Sequence, residues 1–121
     1  MGKLALVVDD SASTRRMVAF ALQEAGFDVL EGENGRAGLA QLDGHQVQLI
    51  ITDLQMPIMD GISFIREVRA LRECTAIPIL MLTNERQEAK KLEGKAAGAT
   101  GWLVKPVSPE QLMEAVTAVC P

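Results

Sequence analysis

The chain has 121 residues, a formal net charge of −4 and a pI near 5.0, and 48% of its residues are hydrophobic. The length is that of one compact domain, and the acidic balance excludes nucleic acid as the main partner because phosphate backbones are bound by basic surfaces. No apolar stretch approaches the roughly 18 residues of a membrane span, and Cys74 and Cys120 lack metal-ligand spacing. We therefore expect one cytoplasmic domain, 1–121, that has reduced thiols and no membrane partner.

Five short apolar runs alternate with segments that are long enough to form helices. The runs are residues 4–8, 28–31, 48–52, 77–83 and 101–104. The first, third and fourth runs are nearly continuous in Leu, Val and Ile, which is typical of strands that are buried on both faces of a parallel sheet. The alternating order with right-handed crossovers predicts an α/β fold in which helices cover both faces of one sheet.

Helix signals fall between these runs. Apolar residues at helical spacing mark the first helix: Met17, Val18, Ala21, Leu22 and Ala25. Gly26 is placed to end this helix, and Gly44 and Gly98 are placed to end the second and the fourth. Residues 108–111 form a capping-box pattern ahead of the last helix. The fourth helix, from about residue 85 to 97, is strongly polar and suits either a mobile switch element or a plain exposed helix.

Polar residues stand where the predicted strands end. They are Asp9 and Asp10 after the first run, Asp53 after the third, Thr83 at the end of the fourth and Lys105 after the fifth. Ligands of open parallel sheets bind outside the carboxyl ends of the strands, so we expect these side chains to converge on one pocket. Each residue alone has an ordinary explanation as a helix cap, turn or loop residue. Their combination points to a shared site.

Three carboxylates at one sheet edge repel each other unless a cation lies among them. Mg²⁺ prefers oxygen ligands, usually takes one or two carboxylates, and completes its shell with water and phosphate oxygens. We therefore predict a Mg²⁺ site with Asp10 and Asp53 as ligands and Asp9 acting through water. Beside this ion, Asp53 becomes the nucleophile towards a phosphoryl group.

Phosphoryl transfer spreads negative charge over three equatorial oxygens, and each oxygen needs a partner. The metal binds one oxygen, Lys105 supplies a compact cation for another, and the Thr83 hydroxyl with a nearby backbone N–H suits the third. A carboxylate nucleophile yields an acyl phosphate, which is a reactive mixed anhydride. The modification is therefore reversible and suited to signalling.

At these residues the sequence resembles the receiver domain of bacterial response regulators, particularly the single-domain CheY-like type. The resemblance covers essentially the whole chain and is carried by LALVVDD at 4–10, IITDLQMPIMDG at 50–61, ILMLT at 79–83 and VKP at 104–106. It implies a flavodoxin-like (βα)5 doubly wound parallel sheet with strand order 2-1-3-4-5. It also implies that Asp53 is the phosphoacceptor, that the main-chain carbonyl of Gln55 joins the metal ligands Asp9, Asp10 and Asp53, and that the Lys105–Pro106 bond is cis.

The same resemblance implies a switch. Thr83 would move to bond the phosphoryl group and Trp102 would turn inward, so that phosphorylation changes a surface made by the fourth helix, the fifth strand and the fifth helix. The family usually has Tyr or Phe where this chain has Trp102, and a small residue where it has Asn84. We expect Gln55, Asn84 and Glu85 to tune dephosphorylation.

The resemblance also names the partners. A sensor histidine kinase would be the phosphodonor, small acyl phosphates would substitute for it, and a downstream protein target and a phosphatase would follow, with chemotaxis as the pathway. Mn²⁺ would substitute for Mg²⁺, the chain would be a monomer or weak dimer, and it would catalyse only its own phosphorylation and dephosphorylation. Arg15 and Arg16 are either a docking point for the kinase or a solvated helix face.

Four alternatives remain beside this interpretation. The chain is a free-standing relay if its ends coincide with element ends, as we expect, but a phosphorelay intermediate and a receiver fragment of a larger regulator stay open. A phosphatase of the haloacid dehalogenase type needs a second Asp two residues after its nucleophile, where this chain has Gln55. A flavodoxin-like FMN carrier needs a phosphate-binding turn after the first strand, and here that turn is acidic.

Overall fold

The computed structural model describes residues 3–84 and 88–120. Within these residues the strands are β1 (Lys3–Val8), β2 (Phe27–Gly32), β3 (Leu49–Asp53), β4 (Ile79–Thr83) and β5 (Gly101–Val104). The helices are α1 (Ala12–Glu24), α2 (Gly35–Leu42), α3 (Gly61–Ala70), α4 (Glu88–Ala97) and α5 (Pro109–Val119), with a short 3-10 helix at Arg72–Cys74. The predicted alternation of strands and helices is confirmed.

The strands form one parallel sheet in the order β2-β1-β3-β4-β5, which confirms the predicted flavodoxin-like topology. The register pairs Val8 with both Gly32 and Thr52, and Thr83 with Val104. The carboxyl ends of the strands therefore lie along the same edge of the sheet. That edge carries the loops that follow β1, β3, β4 and β5.

Two cores fill the space between the sheet and its helices. Successive residues of a strand point to opposite faces, so Leu6 and Val8 enter one core while Ala5 and Val7 enter the other. The first core packs against α2, α3 and α4, and the second against α1 and α5. Burial of one such aliphatic side chain contributes about 1.5–3 kcal/mol, so the central strands form a rigid base for the loops.

The helix boundaries follow the predicted caps. The capping box of α5 is present, because the Ser108 hydroxyl accepts from Gln111 N at 3.1 Å and the Gln111 side chain accepts from Ser108 N at 3.0 Å. Gly26, Gly44 and Gly98 all have positive φ just beyond their helices, which confirms them as helix ends. The predicted start of the fourth helix, residues 85–87, lies outside the described residues.

The structure can be compared with two further expectations from the sequence, which concern membrane-spanning segments and the state of the cysteines. Among the described residues, no helix combines the length and the apolar character that crossing a bilayer requires. Cys74, which is buried, and Cys120, which is partly exposed, are both free thiols.

Ile58, in the loop between β3 and α3, has a left-handed backbone with φ of 71°, and the residue is 74% exposed. A β-branched residue in this conformation places its Cβ too close to its own carbonyl, whereas asparagine tolerates it. We expect Ile58→Asn to raise the free energy of unfolding by about 1 kcal/mol, measured by urea denaturation. Ile58→Val keeps the branched Cβ and should leave stability unchanged. Lower stability of Ile58→Asn would show that the isoleucine is not strained.

Candidate functional site

Five polar residues lie at the carboxyl edge of the sheet. Asp53 and Thr83 are the last residues of β3 and β4, Asp9 and Asp10 follow β1, and Lys105 follows β5. Asp9, Asp53 and Thr83 are buried, whereas Asp10 is exposed. One carboxylate oxygen from each of the three aspartates lies within 4.8 Å of the others. The structure therefore brings together the three aspartates that the sequence assigned to one pocket, and it places Thr83 and Lys105 at the same edge of the sheet.

Lys105 lies between two of these carboxylates. Its Nζ is 2.9 Å from Asp9 Oδ2 and 3.4 Å from Asp53 Oδ2. Its backbone N donates to the carbonyl of Thr83 at 2.7 Å, and the Lys105–Pro106 peptide bond is cis, as the resemblance implies. The lysine is thereby fixed to the ends of both β4 and β5, with its ammonium over the pocket.

The two buried carboxylates are each held by one backbone N–H. Asp53 Oδ1 accepts from Leu54 N at 2.8 Å, and Asp9 Oδ1 accepts from Ser11 N at 2.9 Å. The second oxygen of each carboxylate then faces Lys105. The Asp53 side chain is thus fixed in one orientation, with Oδ2 turned towards the centre of the site.

Burial and neighbouring charges both shift the pKa values of the site. Burial raises the pKa of Asp53 above its usual value, the attraction of Lys105 lowers it, and the charge of Asp9 raises it again. Burial by itself lowers the pKa of Lys105, but its hydrogen bond to Asp9 and the attraction of Asp53 together lift that pKa above its usual value. Among the described residues, three carboxylates lie beside this one lysine, so the pocket has more acidic than basic groups.

These residues fit a divalent cation. Three carboxylate oxygens converge within one ligand sphere, oxygen is the donor that Mg²⁺ prefers, and the buried negative charge of Asp53 is under-compensated. The Asp10 carboxylate is exposed and makes no hydrogen bond or ion pair within the part of the chain that the structure describes. Its oxygens are therefore available to an ion.

The comparisons with known proteins identify the family. The sequence model of one protein family, the response regulator receiver domain, matches residues 5–117. The chain belongs to this family. It is similar to the phosphate regulon transcriptional regulatory protein PhoB of Pseudomonas aeruginosa, with 37% identity over 119 residues that cover 98% of this chain and 52% of PhoB. The chain thus spans about half of that relative's length.

Two other proteins match the receiver domain along nearly their whole length. The chemotaxis protein CheY1 of Helicobacter pylori J99 is 38% identical over 116 residues, which cover 94% of each protein. The structure of the chemotaxis response regulator CheY4 of Vibrio cholerae superimposes with a TM-score of 0.93 at 45% identity, covering 98% of this chain and 99% of that one. The family and the fold of this chain are therefore those of a receiver domain. Neither comparison favours the two alternative families, the haloacid dehalogenase-type phosphatase and the FMN carrier.

Residues that were expected to tune dephosphorylation flank the site of this receiver domain. Gln55 and Asn84 are both exposed, two residues after Asp53 and one residue after Thr83. Gln55 also lines a cavity of about 280 Å³ between the β3–α3 loop, α3 and α4. Glu85 lies outside the described residues.

Trp102 of the receiver domain sits on β5, where it pairs with Met81 of β4. Its half-buried indole packs against the core on the α3–α4 side. The ammonium groups of Lys91 and Lys95, both on α4, lie 5.5 and 5.8 Å from the ring centroid. Such cation–π contacts contribute about 0.5–1 kcal/mol each at exposed sites, so they link the expected gating residue to α4.

Sequence reasoning missed the part played by Arg15. The sequence predicts the same two alternatives for Arg15 and Arg16, a docking point for the kinase or a solvated helix face. Arg16 is exposed, but the Arg15 side chain is 15% exposed and its guanidinium donates to the Asp9 carbonyl at 2.8 Å and to Glu31 at 2.8 Å. Both residues lie in one helical segment, and only the packing of α1 on β2 distinguishes them.

Proposed function

We propose that this chain is the phosphoacceptor of a two-component system, and that Asp53 takes a phosphoryl group from a sensor histidine kinase in a Mg²⁺-dependent reaction. The observation that carries the proposal is the convergence of three carboxylates at the carboxyl edge of the sheet, two of which also contact the Lys105 ammonium. Family membership supports the same role for the whole receiver domain, for which we propose the bounds 1–121.

In this reaction Asp53 Oδ2 attacks phosphorus. The new O–P bond forms as the P–N bond of phosphohistidine breaks, and the imidazole nitrogen keeps the electron pair. Leu54 N holds the other carboxylate oxygen, so the nucleophile does not rotate away from the phosphorus. Lys105, already 3.4 Å from Oδ2, neutralises charge on the transferred group, and the Thr83 hydroxyl donates to another of its oxygens.

The carboxylates of Asp10 and Asp53 and the main-chain carbonyl of Gln55 would hold the Mg²⁺, with Asp9 acting through water. When bound, the ion supplies a fixed positive charge for a phosphoryl oxygen. Mn²⁺ substitutes for it because it takes the same oxygen ligands in the same octahedral geometry. Asp9 has a further role, because its carboxylate holds Lys105 in place.

The same proposal includes the switch and its readout. Movement of Thr83 towards the phosphoryl group would open space behind it, and Trp102 would turn inward and leave Lys91 and Lys95. The surface formed by α4, β5 and α5 would then present a different face to a downstream protein. Gln55, Asn84 and Glu85 would set how long the phosphoryl group lasts, alone or with a phosphatase.

The pathway is proposed from the relatives. The match to the chemotaxis protein CheY1 over 94% of both proteins favours a chemotaxis-type relay in the cytoplasm, acting as a monomer or weak dimer through protein contact. The match to half of the transcriptional regulator PhoB supports the alternative, a receiver portion of a larger regulator or a phosphorelay intermediate.

The test is phosphorylation of the purified protein by acetyl phosphate with Mg²⁺, followed by intact mass spectrometry. We expect a gain of one phosphoryl group that chelation of Mg²⁺ prevents, that hydroxylamine removes, and that Asp53→Asn abolishes. Asp28→Asn, an exposed residue at the start of β2, is the matched control and should gain the same mass as the natural protein. A full mass gain in Asp53→Asn would overturn the assignment of the acceptor.

A further inference from the structure

Arg15 joins the loop of the acidic residues to the end of β2. Its Nη1 donates to the main-chain carbonyl of Asp9 at 2.8 Å, and its Nε donates to Glu31 Oε1 at 2.8 Å. The side chain is 15% exposed, so little water competes for these bonds. Hydrogen bonds from a guanidinium are charge-assisted and directional, and the planar fork holds both acceptors in fixed positions.

The bonded carbonyl belongs to the peptide unit that joins Asp9 to Asp10. The Asp9 residue is fixed independently on its other side, because its N donates to Gly32 O at 3.0 Å and its carboxylate accepts from Ser11 N and Lys105 Nζ. Asp10, in contrast, is exposed and its side chain makes no hydrogen bond or ion pair within the described residues. Its direction therefore depends on the orientation of the peptide that Arg15 holds.

We propose that Arg15, anchored by Glu31, is a positioning residue for the metal site, which aims the Asp10 carboxylate at the ion. The inference rests on the proposed function, since it concerns the Mg²⁺ of that reaction. Arg15 donates from Nη1 to the main-chain oxygen of Asp9 and from Nε to Glu31, and neither acceptor is a ligand atom of the proposed metal site. It acts through the main chain, as the outer partners of metal ligands commonly do.

Charge and positioning have opposite effects on metal affinity. A guanidinium close to the acidic cluster repels a divalent cation, so an arginine that acted through its charge alone would weaken Mg²⁺ binding, and its removal would strengthen that binding. An arginine that aims a ligand strengthens binding, and its removal weakens it. The sign of the change in affinity therefore decides between the two roles.

The experiment compares Mg²⁺ binding to the natural protein, Arg15→Met and Arg16→Met by isothermal titration calorimetry without a phosphodonor. We expect Arg15→Met to bind Mg²⁺ about tenfold more weakly, the lower end of the effect of losing an outer partner of a metal ligand. Arg16→Met removes the same charge from an exposed neighbour and should bind as tightly as the natural protein, or slightly more tightly. The rate of phosphorylation by acetyl phosphate should need more Mg²⁺ to reach half its maximum in Arg15→Met, with its plateau retained.

Arg15→Lys keeps the positive charge, but the lysine ammonium cannot reach both acceptors. This variant replaces Arg15→Met in the binding experiment if Arg15→Met does not fold. It should bind Mg²⁺ several-fold more weakly. Unchanged or tighter binding by a folded Arg15 variant, beside a natural protein that binds Mg²⁺, would overturn the inference and leave the proposed function standing. A natural protein that binds no Mg²⁺ would instead overturn the Mg²⁺ site of the proposed function.

Discussion

Replacement of Lys105 with methionine should lower the free energy of unfolding by about 2–3 kcal/mol, because it leaves a buried carboxylate without its cation. Asp9 is 1% exposed and lies 2.9 Å from Lys105 Nζ, while Asp53 lies 3.4 Å away. Breaking a fully buried pair costs about 3–5 kcal/mol, and the 21% exposure of the Lys105 side chain places the expected loss at or just below the lower limit of that range.

Between neutral and mildly alkaline pH, the pH of the measurement has little influence on the contribution of Lys105. Burial lowers the pKa of Lys105, but Asp9 and Asp53 raise this pKa by more than burial lowers it, so the net shift is upward. A raised pKa means that the lysine stabilises the fold fully at neutral pH and loses this contribution only as the pH rises through the folded-state pKa. Urea denaturation at pH 7 therefore records the whole effect.

Lys90→Met is the control for the loss of a lysine. Lys90 is exposed and pairs with Glu93 at 3.8 Å on the surface of α4, where such pairs contribute about 0.5 kcal/mol or less. In the Lys105→Met background, Asp9→Asn should recover part of the lost stability, because it removes the uncompensated charge. Equal losses in Lys105→Met and Lys90→Met would contradict the buried ion pair.

Lys105→Met should also be phosphorylated slowly. Lys105 already points at the oxygen of Asp53 that we propose as the nucleophile, so it stabilises charge that develops in the transition state without reorganising. Removal of one such fixed group costs about a hundredfold or more in rate. We expect a loss of this size in the rate of mass gain from acetyl phosphate at saturating Mg²⁺, and a rate close to that of the natural protein in Lys90→Met.

The site could be predicted because the residues that form it are placed by the sheet and not by the loops. Five strands with recognisable apolar runs, in parallel, bring their ends to one edge, so the residues that follow them meet whatever the loops do. The strand order came from the resemblance to a family and not from the apolar pattern. The pattern alone also overextended the fourth strand to residue 77, although Pro78 has no N–H to donate and β4 begins at Ile79.

The unequal burial and contacts of neighbouring residues could not be predicted. Asp9 and Asp10 are identical in sequence terms, yet Asp9 is buried beneath Lys105 and Asp10 is exposed. Arg15 and Arg16 differ in the same way, and Lys91 and Lys95 differ from Lys90, the third lysine of α4, in their contact with Trp102. Each distinction depends on how one element is rotated against its neighbour, and the period of a helix or strand does not fix that rotation.

Gly61→Ala is expected to lower the free energy of unfolding by about 3 kcal/mol, through a contact made with the backbone of the site itself. Gly61 begins α3 and its N donates to Leu54 O at 2.9 Å, which brings the helix end against the end of β3. A Cβ at this position would overlap the carbonyl oxygen of Asp53 and lie 2.7 Å from Leu54 Cα. These are backbone atoms, so they cannot move aside as a flexible side chain would.

Gly101→Ala is the matched control, because its Cβ would meet Leu80 Cδ2 at 3.5 Å, an ordinary contact. Backbone entropy alone predicts that alanine is better than glycine inside a helix or strand, by about 0.5–1 kcal/mol, so it predicts the same stabilising sign for both variants. The steric contact predicts a loss of stability at Gly61 and none at Gly101, and urea denaturation of the two proteins distinguishes these explanations.

Since the atoms that the new Cβ would overlap include the carbonyl oxygen of Asp53, relief of the overlap must shift the residue that carries the proposed nucleophile. Folded Gly61→Ala should therefore also be phosphorylated more slowly than Gly101→Ala, and equal rates would show that the end of β3 absorbs the change without moving Asp53.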